Sequence, residues 1–128
     1  MLKEIEEKLK ALKIDFKRVG NKIIIEDFDE KSGEGGADMV IIAIKGQEIQ
    51  VEILERKVRV RSGRKFRERM EKGKRQIQRT AEWLNERLSL NKLRCKEIIH
   101  PKIELPRPIK SPGIIDIKGR KLMLEAVF

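Results

Sequence analysis

Residues 38–57 read DMVIIAIKGQEIQVEILERK, and the pattern of this stretch decides the fold. Two aliphatic runs flank Lys45-Gly46-Gln47-Glu48, and glycine at the first central position suits a two-residue type II′ hairpin turn. With Lys45 opposite Glu48, the other partners follow: Ile44 faces Ile49, Ile42 faces Val51, Val40 faces Ile53, and one step further Asp38 faces Glu55. Side chains alternate with period two, so all of them share one face of the hairpin, and Lys57 falls on it too. An aliphatic stripe of six residues therefore ends in Asp, Glu and Lys. Two carboxylates side by side at the end of a core are costly unless a cation neutralises them. Lys57 supplies part of that charge. A divalent metal supplies more, and Asp plus Glu with water is the hard-oxygen environment that Mg²⁺ prefers. A metal held there can activate water and stabilise charge on a phosphate under in-line attack. The plainer reading of the same residues is a cross-strand ion-pair cluster at a hairpin mouth.

Outward from the hairpin, the flanking segments read as an α/β chain. Leu2, Ile5, Leu9 and Leu12 stand at helical spacing in residues 2–13, and Lys22–Glu26 reads as a strand. Residues 27–36 are acidic and glycine-rich, a loop in which no glycine stands at the sixth position a calcium loop requires. Ser62-Gly63 breaks the second hairpin strand. Residues 64–89 follow as a long helix with the stripe Phe66, Met70, Gly73, Ile77, Ala81, Leu84 and Leu88. A strand is expected over 95–100, an extended proline-containing loop over 101–112, and a second Lys-Gly hairpin over 114–127. The two hairpins look alike, but generic turn chemistry accounts for that as well as a duplication does. By the register of the first hairpin, Asp116 and Glu125 would share a face as an exposed polar pair. The order is α-β-β-β-α-β-β in one domain spanning 1–128.

The charge balance points to a polyanionic partner. Lys and Arg number 31 against 21 Asp and Glu, a net charge of +10, and phosphate attraction is long-range and independent of sequence. The positive charge is also arranged. Arg59, Arg61, Arg64 and Lys65 follow the Asp/Glu/Lys cluster, and a helical projection puts Lys65, Arg69, Lys72, Gln76, Thr80, Trp83 and Arg87 along one acid-free flank. The other flank mixes signs, and such segregation suits a phosphate-tracking surface. Trp83 reads as a packing residue. No apolar run approaches the ~20 residues of a membrane span, and MLKEIEEKLK lacks a signal-peptide core. A single cysteine, Cys95, allows neither an internal disulfide nor a zinc cluster, and it makes no convincing nucleophile pair with His100. A reducing, cytoplasmic setting is the expectation. Abundant Lys, Glu and Ile with few Asn and Gln resemble thermophile usage.

Gly36-Ala37-Asp38, sixteen residues, then Glu55-Arg56-Lys57 resembles the signature of the PD-(D/E)xK, or restriction-endonuclease-like, nucleases. The preceding helix, three-strand meander and long following helix are similar to that family's core, over residues 2–100. In layout and size the chain is most similar to the archaeal Holliday-junction resolvases. The resemblance implies a central mixed sheet flanked by helices, a Mg²⁺ (or Mn²⁺) site and a DNA substrate, branched forms such as four-way junctions included. It implies Asp38 and Glu55 as metal ligands with the Arg56 carbonyl completing the site, and Lys57 as the residue that positions water or stabilises the transition state. It further implies an assisting acid on the first helix, for which Glu6 is the candidate, and a helix glutamine near the site, Gln76. Ala37 replaces the family's proline, and Arg56 replaces an aliphatic residue. Arg61 stands where the ERKxxxD nucleases need an acid. A homodimer is expected by the same resemblance, and because the apolar run LMLEAVF would invite edge pairing if left exposed. The alternative is a non-catalytic basic nucleic-acid-binding module that keeps the same fold.

Overall fold

The computed structural model describes residues 2–33, 35–56, 64–106 and 112–128. In chain order these form α1 (Leu2–Ala11), β1 (Lys17–Val19), β2 (Lys22–Glu26), α2 (Phe28–Ser32), β3 (Met39–Lys45), β4 (Glu48–Arg56) and α3 (Arg64–Leu88). A 3₁₀ turn at Leu90–Lys92 leads to β5 (Lys96–Glu104), β6 (Ile114–Ile117), β7 (Arg120–Met123) and β8 (Glu125–Val127). Six strands make a mixed sheet in the order β1-β2-β3-β4-β5-β8, and β6 pairs with β7 apart from it. The β3–β4 register is the one the Gly46 turn implies. Lys45 faces Glu48, Ile44 faces Ile49, Ile42 faces Val51 and Val40 faces Ile53. Of the two central turn residues, Gly46 alone takes a positive φ, +58°, as a type II′ turn requires.

Register and parity place Ile23 and Ile25, Val40 and Ile42, Ile49, Val51 and Ile53, and Ile99 and Ile103 on one sheet face, and all are buried. Against them pack Leu2, Ile5 and Leu9 of α1, and Met70, Ile77, Ala81, Leu84 and Leu88 of α3. The side chain of Lys8 on α1 reaches the carbonyl of Leu88 at 3.0 Å, which ties the two helices together at the C-terminus of α3. Phe28 of α2 meets Trp83 of α3 edge-on, ring centroids 5.0 Å apart. On the opposite face Ile24, Met39, Ile41, Gln50, Leu54, Ile98 and His100 are only half-buried. β4 and β5 are parallel, and α3 is the crossover that joins them. No helix among the described residues is long and apolar enough to cross a membrane.

The element order departs from expectation in four places. β1 and the single-turn α2 were not anticipated, being too short to show a period. β5 runs on to Glu104 through Pro101, where a loop was expected. A proline fits there because β8, the neighbour on the far side of β5, pairs only from Lys102 onward, so no ladder bond is asked of it at that position. The second hairpin turns on Lys118 and Gly119, both at positive φ (+55° and +79°), so Ile117 faces Arg120 and Asp116 faces Lys121. The turn is two residues long, as in β3–β4, but it begins one residue earlier relative to the Lys-Gly pair. Asp116 Oδ1 accepts the Gly119 N–H at 2.9 Å and closes the turn, while Glu125 starts β8 and belongs to the main sheet. Asp116 and Glu125 therefore form no pair.

Candidate functional site

The β3–β4 ladder ends at Met39 and Leu54, and just beyond it the two carboxylates meet. The Asp38 N–H donates to the Leu54 carbonyl (3.0 Å), and its own carbonyl accepts from Phe28 N–H (2.9 Å), so the backbone of Asp38 is held from both sides. Its side chain then takes over where the β3 backbone stops: Oδ2 accepts the Arg56 N–H at 2.7 Å. The same N–H reaches Glu55 Oε1 at 3.1 Å. With those two legs laid end to end, the carboxylate oxygens lie within about 6 Å of each other. Glu55 is the last residue of the buried stripe, 2% exposed, and Asp38 is half-buried. The Arg56 side chain turns away, its Nε 3.3 Å from Glu104 at the end of β5.

The strand carrying Asp38 is fastened to α3 by the residues before it. Gly36 lies so close to its neighbours that a Cβ there would come 2.8 Å from the Phe28 ring and 2.8 Å from Thr80 Oγ1. Glycine is required by that approach, not by backbone conformation. Ala37, fully buried, donates its N–H to Thr80 Oγ1 at 2.7 Å, and the Thr80 hydroxyl in turn donates to the Gln76 carbonyl at 2.8 Å. A buried N–H without such an acceptor costs about 1–3 kcal/mol. Thr80 thus fixes the height of Asp38 relative to the helix.

The other expected site residues divide into three groups. Lys57, Arg59 and Arg61 lie outside the described residues, as does the side chain of Arg64. Gln76 is half-buried on α3, and Lys65, Arg69, Lys72 and Arg87 are exposed on the same helix. Glu6 is not brought to the carboxylate pair. It forms an ion pair with Arg18 of β1, a strand at the far edge of the sheet. Two members of the projected basic flank also leave it: Thr80 is fully buried and Trp83 nearly so, because the Gly35–Ala37 segment and Phe28 cover that arc of α3. Two further cations of α3, Arg75 and Arg79, were passed over by sequence reasoning. With Asp29, Gly35, Lys72 and Gln76 they line a cleft of about 340 Å³. Their signal was the i, i+3, i+7 spacing from Lys72.

The donor set at Asp38 and Glu55 is anionic and entirely oxygen, which fits Mg²⁺ or Mn²⁺ and not a soft metal. Among the described residues no group of three or more His, Cys, Asp or Glu side chains gathers as a metal cluster. Compared with family models, with curated proteins and with solved structures, the chain matches none.

Proposed function

We propose that this chain is a metal-dependent endonuclease of the restriction-endonuclease-like class that hydrolyses DNA phosphodiester bonds, with branched DNA among its substrates. The observation that carries the reading is the meeting of Asp38 and Glu55, from adjacent strands, on the single N–H of Arg56 at the end of a buried aliphatic stripe. Like charges are brought this close at the margin of a core where a cation is to be held. Asp38, Glu55 and the Arg56 carbonyl would hold Mg²⁺ or Mn²⁺, and the bound ion would supply Lewis-acid stabilisation of the phosphate and a more acidic water. Lys57, two residues after Glu55, carries the cation expected to steady the developing charge. The meander β2-β3-β4, the crossover α3 and the parallel β5 agree with the core order of that class. Exposed Lys65, Arg69, Lys72 and Arg87 along α3 favour a polyanionic partner.

We infer a two-fold homodimer as the working form, with two such sites facing opposing strands. Met123 (80% exposed), Ile114 (61%) and Phe128 (66%) give it apolar surface to bury, and Met123 and Ile114 face each other across β6–β7. The deciding experiment incubates supercoiled plasmid and a labelled four-way junction with the full chain in Mg²⁺, in Mn²⁺ and in EDTA. Metal-dependent cleavage is expected. Salt-sensitive binding with no cleavage in either metal overturns the nuclease reading and leaves the non-catalytic binding module.

A further inference from the structure

The cleft that includes Gly35, on the loop leading to Asp38, has a chemistry of its own. Lys72, Arg75, Gln76 and Arg79 stand at i, i+3, i+4 and i+7 on α3, so they share one face and span about 10 Å of helix. Across from them lie Asp29 and Gly35. Among the described residues, seven cations elsewhere are matched to acids: Lys17 to Glu26, Arg18 to Glu6, Arg56 to Glu104, Lys74 to Glu71, Lys102 to Glu52, and Lys118 and Arg120 to Glu97. Among the same residues Lys72, Arg75 and Arg79 enter no ion pair, although Asp29 borders the same cleft. Scattered exposed lysines such as Lys3 and Lys10 enter no such pair either, so what distinguishes the cleft is that its cations are gathered on one face. Three cations against one carboxylate leave a concave surface with net positive charge.

Position gives that surface a purpose. A Cβ on Gly35 would come 3.2 Å from Nη1 of Arg79, so the guanidinium lies against the loop that leads into β3. Three residues later stands Asp38, at most about 11 Å along the chain. Nucleic acid advances about 3.4 Å per nucleotide of one strand. With the reach from Gly35 to a phosphate on Arg79 and from Asp38 to the scissile phosphate added, a phosphate at Arg79 sits within a few nucleotides of one at Asp38 and Glu55. Arginine suits the task because its planar fork grips a phosphate through two parallel N–H bonds.

We propose that Lys72, Arg75, Gln76 and Arg79 form a phosphodiester-binding subsite for the backbone of the bound nucleic acid, and that it sets which bond reaches Asp38 and Glu55. The first half stands on the cleft alone; the second rests on the nuclease reading above. The subsite positions the strand and does not touch the reacting atoms.

The test compares the full chain with Arg75→Gln/Arg79→Gln and with Lys3→Gln/Lys10→Gln, which removes equal charge from exposed positions on α1. Binding of a fluorescein-labelled four-way junction is followed by anisotropy from 50 to 300 mM NaCl, and cut positions are mapped on a 5′-labelled strand. Each lost phosphate contact should lower the slope of log K against log[salt] by about 0.9. The arginine double variant should therefore lose roughly 1.8, the lysine variant nearly nothing, and Arg79→Lys should keep the slope. Cutting by the arginine double variant should spread over neighbouring bonds. A slope equal to that of the lysine variant overturns the subsite, even where cleavage is normal. A lowered slope with no cleavage by the wild type in any metal keeps the subsite and rejects the nuclease. A lowered slope with an unchanged cut position rejects the positioning role.

Discussion

Thr80→Val tests how the loop bearing Asp38 is held. The Thr80 hydroxyl is fully buried and accepts the N–H of Ala37 at 2.7 Å. Valine fills nearly the same volume but offers no acceptor, so Ala37 keeps a buried, unsatisfied donor worth about 1–3 kcal/mol. The hydroxyl's other bond, to the Gln76 carbonyl, matters less because that carbonyl also accepts within the helix. The expected loss is about 2 kcal/mol. For a domain of this size it lowers the urea midpoint by about 1 M at an m-value of roughly 2 kcal/mol/M. Thr80→Ser keeps both bonds and gives up one methyl, about 1 kcal/mol. Amide exchange separates the causes: Ala37 N–H should exchange at least tenfold faster in the valine variant, relative to Ile53, and stay protected in the serine variant. A valine variant within about 0.5 kcal/mol of wild type, with Ala37 no faster, would refute the anchoring role.

Asp38→Asn and Glu55→Gln should each abolish cleavage while DNA binding stays equal or tightens, since each removes a metal ligand and a charge that repels phosphate; full cleavage by both variants would end the site assignment. Gly36→Ala should lose about 1–3 kcal/mol in urea unfolding, because its Cβ lands 2.8 Å from Phe28 and Thr80. Lys118→Asn should raise stability by about 1 kcal/mol in the same assay, because a left-handed residue before glycine in this turn favours asparagine. Burial also lowers the pKa of Lys118 from its usual 10.5, against a partial rise from Glu97. The unfolded chain then holds this proton more tightly, so native stability should climb as pH rises toward 10.5, and Lys118→Asn should flatten that climb. Light scattering at micromolar concentration should give twice the monomer mass, and Met123→Lys should reduce it.

The β3–β4 register was legible because Gly46 pins the turn and eight aliphatic or acidic partners then fall on one face without a mismatch. The meeting of Asp38 and Glu55 follows from the same parity, although the shared Arg56 N–H does not. Strand β8 was hidden because the run from Ile114 reads as one hairpin, and only the long-range pairing with Lys102–Glu104 draws its end away. The basic flank was misjudged by part of a turn. A helical projection counts exposure outward from one apolar stripe, whereas α3 is covered on a second arc by Phe28 and the Gly35–Ala37 segment. That cover buries Thr80 and Trp83 and moves the open basic face toward Arg75 and Arg79. Glu6 lay at a plausible angle on α1, but its partner Arg18 sits on a strand too short to foresee.

The single-face placement of Asp38 and Glu55 bears on how this chain can change over generations. A residue inserted or deleted within Met39–Lys45 or Glu48–Arg56 turns every later side chain of that strand to the other face. One carboxylate would then leave the pair, and the aliphatic stripe would face the half-buried side of the sheet. Between the acids, heredity must therefore conserve spacing more strictly than identity: Ile can become Val, but the count from Asp38 to Glu55 cannot change by one. The segment 27–33 and the Lys118–Gly119 turn lie outside that interval. Length variants should collect there first, leaving the distance between the two acids as the most durable mark of descent.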